Sequence, residues 1–586
     1  MTGPIEWADD GPPRSRRFGD LYYSAQDGLA EARQVFLAGC DLPDAWRAAR
    51  GFTVAELGFG TGLNIAALLD LWRREGPLGG HLSIFSIEAF PVSAPDAARA
   101  LAAWPELAPV AHLLLARWPG RARGFHRIDL PEFRATLDLA VMDVAEALES
   151  WLGAADAWFL DGFSPACNPE MWRPEVLALL AARSTPGARL ATYTAAGEVR
   201  RGLTAAAFEI ERVPGFGRKR HRLEGRAPGA LPPVSPPQRV AIVGAGIAGV
   251  SLARAFAALG ATAQIWDAGT PSASAGPAAL VTPRLDAGLA TPARLFAQAF
   301  ARARAVYADT PAAIVAEGAL QLAVGPKDAR RFAAIAGSDL FEPGEMRVID
   351  AAEASERLAE AAPAALEIAG ALVVDPAALL AAGATRVRIS RLDRHDDVWR
   401  LFDDAGALVG EAEVVCIAAG MASVALAADL PLRPVRGQAS FAPGAEAPTT
   451  VLFGGYAAPA PGGAVFGATH DRDDEGLEPR AEDHRRNLEA VAAILPALAG
   501  RLESPALEAR VGVRATTSDY LPLAGPAGSP GLFVLTGLGS RGFTLAPLLA
   551  EHIAALALGR PSPLPTLLAD LVDPARFARR ARRRGQ

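Results

Sequence analysis

The stretch RVAIVGAGIAG, residues 239–249, decides the fold of the larger part of this 586-residue chain. Arg239 to Val243 reads as a buried strand, and Gly244-Ala245-Gly246-Ile247-Ala248-Gly249 turns it into a helix predicted through about Leu259. A second apolar run, Ala263 to Trp266, ends in Asp267, 23 residues after Gly244. Strand, glycine turn, helix, strand and acid in this order form a dinucleotide fingerprint. The glycines let backbone approach a pyrophosphate, the helix N-terminus offers amide donors, and the terminal carboxylate takes ribose hydroxyls. The pattern admits FAD or NAD. FAD is favoured, because one such loop opens the whole remainder of the chain, which holds another glycine-rich stretch near its end. That stretch, Thr536 to Thr544, carries Gly537, Gly539 and Gly542 and leads into a helix predicted from Leu545, whose N-terminus is expected to face a flavin.

A related layout precedes it. TVAELGFGTG, residues 53–62, is a strand-like run followed by Glu-x-Gly-x-Gly-x-Gly, then a helix predicted from Leu63 to Arg73. His81 to Phe90 is the next strand and carries Glu88, 30 positions after Gly58; later strands are predicted at 138–143, 157–161 and 189–194. Apolar runs alternating with helical segments imply a parallel sheet. Three glycines at alternate positions match the S-adenosylmethionine loop of class I methyltransferases rather than the Gly-x-Gly-x-x-Gly of a dinucleotide site. Glu56, Gly58, Gly60, Gly62 and Glu88 are therefore the expected cofactor contacts, with Asp143 as candidate for the adenine amino group. Between the two layouts lies APGALPPVSPPQ, residues 227–238, a stiff proline-rich connector. The expected fold class is α/β: a Rossmann-like class I methyltransferase domain over 1–226, the linker at 227–238, and over 239–586 an FAD-binding Rossmann domain with an α+β substrate subdomain of the amino-acid-oxidase kind.

Composition narrows the chemistry. The chain is 51% hydrophobic and 21% charged, enough apolar material for large cores and too little charge for disorder. Without an apolar run of about 18 residues or a basic-then-apolar start, a soluble cytoplasmic protein is expected, taken to be a monomer. Cys40, Cys167 and Cys416 lie far apart and the eight histidines are scattered, so neither a disulfide framework nor a metal site suggests itself. Only Lys219 and Lys327 are lysines, and no Gly-Lys-Ser/Thr occurs, which excludes a Walker loop; His-Glu-x-x-His and Gly-x-Ser-x-Gly are absent as well. The net charge is −7. A generic polyanion binder needs a basic surface, so any contact with nucleic acid has to be local.

Several segments together resemble one bifunctional family along nearly the whole chain. They are Asp27-Gly28-Leu29-Ala30-Glu31 with Val35-Phe36-Leu37; Glu56 to Asn64; Phe159-Leu160-Asp161-Gly162-Phe163-Ser164-Pro165; Asn168-Pro169-Glu170-Met171-Trp172; Thr192 to Arg201; and Gly215-Phe216-Gly217-Arg218-Lys219-Arg220. The second half adds the Gly244 loop, Pro434-Val435-Arg436-Gly437-Gln438, Gly512 to Pro522, and Gly537 to Thr544. This chain is similar to the tRNA 5-methylaminomethyl-2-thiouridine biosynthesis family, a methyltransferase fused to an FAD-dependent oxidoreductase. One departure stands out: where the family often has Ser-Gly-Asn-x-x-Gly, this chain has Ser274-Ala275-Gly276-Pro277-Ala278-Ala279.

The resemblance implies that the FAD half releases glyoxylate from carboxymethylaminomethyl-uridine at the tRNA wobble position, and that the S-adenosylmethionine half methylates the resulting amine. Asp161, ending an apolar strand before a tight turn, is placed to accept an N–H and orient that amine. Arg514 and Arg541 are the candidates to hold the substrate carboxylate. For tRNA, arginine clusters occur at 14–17, 218–222 and 576–584; Arg218, Lys219 and Arg220 are favoured, with Phe216 as a stacking face beside them. Two other readings stay open on the residues alone. One is a glycine- or sarcosine-type amino-acid oxidase fused to a small-molecule methyltransferase; the other is a binding protein with inactive nucleotide loops.

Overall fold

The computed structural model describes residues 4–7, 11–230, 237, 239–286, 288–380, 383–427, 429–504 and 506–584. Most of the proline-rich connector, 231–236 and 238, lies outside them. The chain divides into two compact units: Met1–Pro236 with Ala258–Gly260 and Leu558–Thr566, and Pro237–Ala257 with Ala261–Ala557 and Leu567–Gln586.

Among the described residues, the first unit is built on an eight-stranded sheet. Its strands are β1 (Gly51–Leu57), β2 (His81–Ile87), β3 (Gly124–Leu130), β4 (Ala135–Val141), β5 (Ala155–Leu160), β6 (Ser184–Thr192), β7 (Glu209–Pro214) and β8 (His221–Arg226), in spatial order β3-β4-β2-β1-β5-β6-β8-β7. β4, β2, β1, β5 and β6 run parallel, and β3, β8 and β7 are antiparallel to their neighbours. Every residue of β1 after Gly51, and every residue of β2 and β4, is buried. Helices cover both faces of such a sheet, which is why these strands read as continuous apolar runs. The order turns back between β1 and β5, so the crevice beyond their C-terminal ends is where a ligand of an open α/β sheet binds. The strands stop earlier than the sequence suggests. Glu88, Asp143 and Asp161 all lie just past a strand end, where each acid begins the loop above the sheet.

In the second unit a six-stranded sheet carries the fingerprint. Its members are β9 (Val240–Val243), β10 (Ala263–Asp267), β11 (Thr385–Arg386), β12 (Val414–Ile417), β15 (Leu523–Pro526) and β16 (Leu532–Thr536), in the order β11-β10-β9-β12-β16-β15. All neighbours are parallel except β15 with β16. Among the described residues a ten-stranded, largely antiparallel sheet and a three-stranded one complete this unit. Two long strands of the larger sheet matter for the site: β13 (Leu432–Pro443) and β14 (Glu508–Thr517), paired antiparallel from Leu432↔Thr517 to Phe441↔Glu508. The helix after β16 starts at Gly542 and runs to Ala557, three residues earlier than expected, because Phe543 and Thr544 are buried and belong to its first turn. Among the described residues no helix is long and apolar enough to cross a membrane, and no cluster of His, Cys, Asp and Glu is arranged to hold a metal.

Candidate functional site

In the first unit the glycine loop leaves β1 for the helix α1 (Leu63–Glu75). Gly58, Gly60 and Gly62 have φ of 86°, 52° and 76°. This left-handed backbone at alternate positions explains their spacing, since other residues adopt it only with strain. A Cβ on Gly58 would lie 3.0 Å from the Gly162 Cα, so the loop and the Asp161-Gly162 turn are in contact. Glu88 is pinned at the loop's far side: its carboxylate accepts the N–H of Gly60 at 3.1 Å and of Phe90 at 2.9 Å, while burial raises its pKa.

Glu56 is fully buried. Its Oε2 accepts from Ser86 Oγ at 2.6 Å, but Oε1 has no partner among the described residues. Burial first, then the nearby Asp161 charge, pushes its pKa well above the carboxylate range. An orphaned buried acceptor under a glycine loop suits a cationic ligand, and S-adenosylmethionine carries both an ammonium and a sulfonium. The residues present therefore fit that cofactor.

Asp161 is held by Asn64, whose Nδ2 donates to Oδ2 at 2.7 Å from the first turn of α1. Burial and the charge of Glu31 push its pKa up to about 7, opposed by the Asn64 bond and by Lys219. Tyr193 donates to the Gly162 carbonyl at 2.9 Å, and Asp20 accepts the Ser164 N–H at 3.0 Å, fixing the turn on both sides. Lys219 joins this network: its Nζ lies 2.9 Å from Glu31 Oε1 and 3.9 Å from the centre of the Tyr193 ring. Of the four residues expected to face RNA, Lys219 is thus committed to the surroundings of Asp161. Phe216 is half-buried against the core, and Arg218 and Arg220 are exposed. Asp143 caps the helix Val144–Ser150, accepting the Ala145 N–H at 2.9 Å, and pairs with Arg173 at 3.0 Å. In the sequence Glu31, Asn64 and Tyr193 stand out only as parts of matching segments. Their roles emerge from contacts across 31 to 188 positions of chain.

The second unit assembles its glycine loops at the C-terminal ends of β9 and β16. A Cβ on Gly249 would lie 1.8 Å from the Gly244 carbonyl oxygen, and one on Gly244 2.5 Å from that of Ala418, so both are needed for close helix–strand packing. Asp267 accepts the N–H of Ala245 at 2.8 Å and of Gly269 at 2.7 Å. Beside it is a cavity of about 440 Å³ lined by Ala245, Asp267, Ser272, Ala275 and Arg386 among others, a fit for an adenosine ribose held by Asp267. In the departing segment Ser274 keeps the family's serine, and its Oγ accepts the Ile247 N–H at 3.1 Å, capping the start of the helix Ile247–Ala258. A Cβ on Gly542 would sit 3.2 Å from Ile247 Cγ2, so the N-termini of the two glycine-preceded helices meet. The loop residues Gly537 and Gly539 lie against Thr517 and Thr516 at the end of β14. Gly244, Gly246, Gly249, Asp267, Gly537, Gly539 and Gly542 are thereby brought to one place, and they fit FAD.

The same place holds two desolvated arginines. Arg514 crosses to β13, where a Cβ on Gly437 would come within 2.3 Å of its Nη1; only glycine leaves room for it. Its one side-chain bond among the described residues is to the Thr469 carbonyl at 3.4 Å, and burial lowers its pKa. Arg541 donates to the Thr282 carbonyl at 3.0 Å and to the Thr282 hydroxyl, and burial, then the charge of Arg284, brings its pKa down to about 10. Neither pairs with a carboxylate among the described residues. Buried guanidinium groups without a counter-ion are costly unless a ligand supplies the charge.

Gly246 separates cofactor binding from folding. A Cβ there would lie 3.2 Å from a side-chain atom, Ser274 Oγ, not from backbone. Gly246→Val is expected to fold with a normal circular dichroism spectrum but to purify colourless and to resist reconstitution with FAD. A yellow variant would remove Gly246 from the cofactor site.

Comparison with known proteins agrees with both units. Residues 105–228 match the family model of an S-adenosyl-L-methionine-dependent methyltransferase, and residues 239–556 that of an FAD dependent oxidoreductase. The chain is 58% identical over 99% of its length to the tRNA 5-methylaminomethyl-2-thiouridine biosynthesis bifunctional protein MnmC of Caulobacter sp. (strain K31), covering 98% of that protein. It is 41% identical over 99% of its length to the protein of the same name from Maricaulis maris (strain MCS10), covering 97% of it. Among solved structures, glycine oxidase from Geobacillus kaustophilus aligns with a TM-score of 0.48 at 25% identity, over 56% of this chain and 96% of that one. With one half built to hold S-adenosylmethionine and the other FAD, the chain belongs to the family of bifunctional tRNA 5-methylaminomethyl-2-thiouridine biosynthesis proteins.

Proposed function

We propose that the FAD half converts 5-carboxymethylaminomethyl-(2-thio)uridine at the tRNA wobble position to the aminomethyl nucleoside, and that the methyltransferase half N-methylates this product. In the first step the secondary amine is oxidised and water is taken up, so that glyoxylate leaves and a primary amine remains. The observation that carries the reading is the pair Arg514 and Arg541, desolvated and without a carboxylate of their own. A substrate whose amine bears a carboxymethyl group supplies that missing charge. When bound, FAD supplies a hydride acceptor and S-adenosylmethionine an electrophilic methyl group.

The chain's residues do the rest. Arg514 and Arg541 fix the carboxylate and with it the methylene to be oxidised. Asp161 accepts an N–H of the product amine and, with a pKa near neutrality, takes the proton that must leave before nitrogen can attack. Glu56, Gly58, Gly60, Gly62, Glu88 and Asp143 hold one cofactor, and the Gly244 and Gly537 loops with Asp267 the other. Arg218, Arg220 and Phe216 contact the RNA. The reading takes the protein as a cytoplasmic monomer that uses no metal ion.

Mass spectrometry of tRNA nucleosides after incubation with the full chain tests this. Aminomethyl-uridine should form without S-adenosylmethionine, and methylaminomethyl-uridine with it. Oxidation of free glycine or sarcosine with tRNA untouched would overturn the proposal. The methylation rate should rise with pH as Asp161 loses its proton around pH 7. Lys219→Met should move that limb to higher pH, because the Glu31 charge then acts on Asp161 unopposed. A limb that stays in place would separate Lys219 from the site.

A further inference from the structure

The arginine cluster at the end of the chain is not used by either reaction, and the structure gives it a defined form. Residues Arg576–Arg584 are a helix, RFARRARRR, with six arginines and no acid. It is anchored rather than frayed. Arg576 is only 3% exposed and binds both oxygens of Asp519 at 3.0 Å, together with the carbonyls of Pro522 at 3.0 Å and Leu521 at 2.8 Å. Phe577 packs inward against the core beside the six-stranded sheet, and the guanidinium of Arg576 lies 4.4 Å from its ring centre. Arg579 and Arg580 are shared with Asp573 and Asp519. Arg582 and Arg583 are exposed and pair with no carboxylate among the described residues.

The anchor also fixes where this charge is presented. Asp519 lies on the turn leaving β14, five residues after Arg514, and is held there by Thr517 Oγ1 at 2.9 Å. Arg514 and the end of its strand are about 10 Å apart at the rise of an extended chain. The basic helix is thus fastened to the same strand that carries a proposed carboxylate clamp.

We propose that this C-terminal helix is a docking surface for the phosphate backbone of the RNA substrate, positioning it for the oxidoreductase half. The inference rests on the tRNA reading above. Charge complementarity commits it to RNA: the molecule as a whole carries −7, so a polyanion needs a local cationic element, and arginine binds phosphate through its planar fork. A membrane surface fits less well, because an interfacial helix needs an apolar face, and the one large apolar side chain here, Phe577, is turned to the core.

The double variant Arg582→Gln/Arg583→Gln tests it, since neither side chain takes part in the anchor. Its melting temperature and flavin content should equal those of the wild type. Its Kd for tRNA bearing the carboxymethylaminomethyl wobble uridine should rise about 5- to 20-fold at 50 mM salt. The slope of log K against log salt should fall in magnitude by about 1.5, near 0.7–0.9 for each lost phosphate contact. Unchanged affinity and slope in the variant, beside a wild type that binds, would overturn this inference alone. Loss of binding to phosphatidylglycerol vesicles in place of tRNA would assign the helix to a membrane. A wild type that neither binds nor alters tRNA would overturn the function proposed above and this inference with it.

Discussion

Asp161→Asn should abolish methylation while leaving the protein yellow and able to release the carboxymethyl group, so that aminomethyl-uridine accumulates in tRNA. The loss expected for a positioned proton acceptor is on the order of 10²- to 10⁴-fold in kcat. The structure adds a second, independent readout. Asp161 has its pKa raised above that of an unfolded aspartate, from 3.8 to about 7, by burial and by Glu31. A carboxyl shifted in this direction contributes stability that is fully present below about pH 4 and lost as pH rises through 7. Asparagine does not ionise, so the variant should gain on the wild type as pH increases, and melt higher than it at pH 8. Greater stability with less activity is what a strained functional carboxylate predicts. If Asp161 were only a turn residue, its replacement would lower the melting temperature at every pH and leave the methylated product normal. The nucleoside profile and the two melting curves together decide between these.

The parts of this molecule that sequence alone makes legible are those fixed by local geometry. Gly58, Gly60 and Gly62 announce a backbone that other residues avoid, and Gly244 and Gly249 announce packing that a Cβ would break. The acids just after β2 and β5 and at the end of β10 follow from where an apolar run must stop. What stays hidden depends on chain segments that meet only in three dimensions. Lys219 sits in a run of basic residues and reads as a surface contact, yet Glu31, 188 positions away, draws its ammonium beside Asp161. Asn64 looks like an ordinary helix residue until the Asp161 turn closes against it. Gly437 is legible only after the fact, as the space over which Arg514 crosses from the neighbouring strand. Ser274 shows the converse case. It is the residue of the departing segment that keeps the family pattern, and its hydroxyl caps the helix that the Gly244 loop begins.

The opposite nucleoside profile is expected from Arg514→Met. Carboxymethylaminomethyl-uridine should persist, and the methyltransferase half should then lack its substrate although its own residues are intact. A charge-assisted hydrogen bond is worth about 1.5–3 kcal/mol, and each 1.36 kcal/mol is tenfold, so kcat/KM for oxidation should fall on the order of 100-fold. Arg514→Lys should recover little of this, because an ammonium cannot reproduce the planar fork on a carboxylate. Stability separates binding from architecture here as well. Among the described residues Arg514 makes one long bond, 3.4 Å to Thr469, and its desolvated charge has no counter-ion, so methionine should leave the melting temperature unchanged or raise it. Arg541 is different: it is tied to Thr282, which Thr544 at the head of the following helix also binds, so Arg541→Met should cost stability as well as activity. Equal kcat/KM in wild type and Arg514→Met would remove Arg514 from the substrate site. A fall confined to Arg541→Met, in step with its melting temperature, would assign the carboxylate clamp to neither residue and return the cationic niche to the fold.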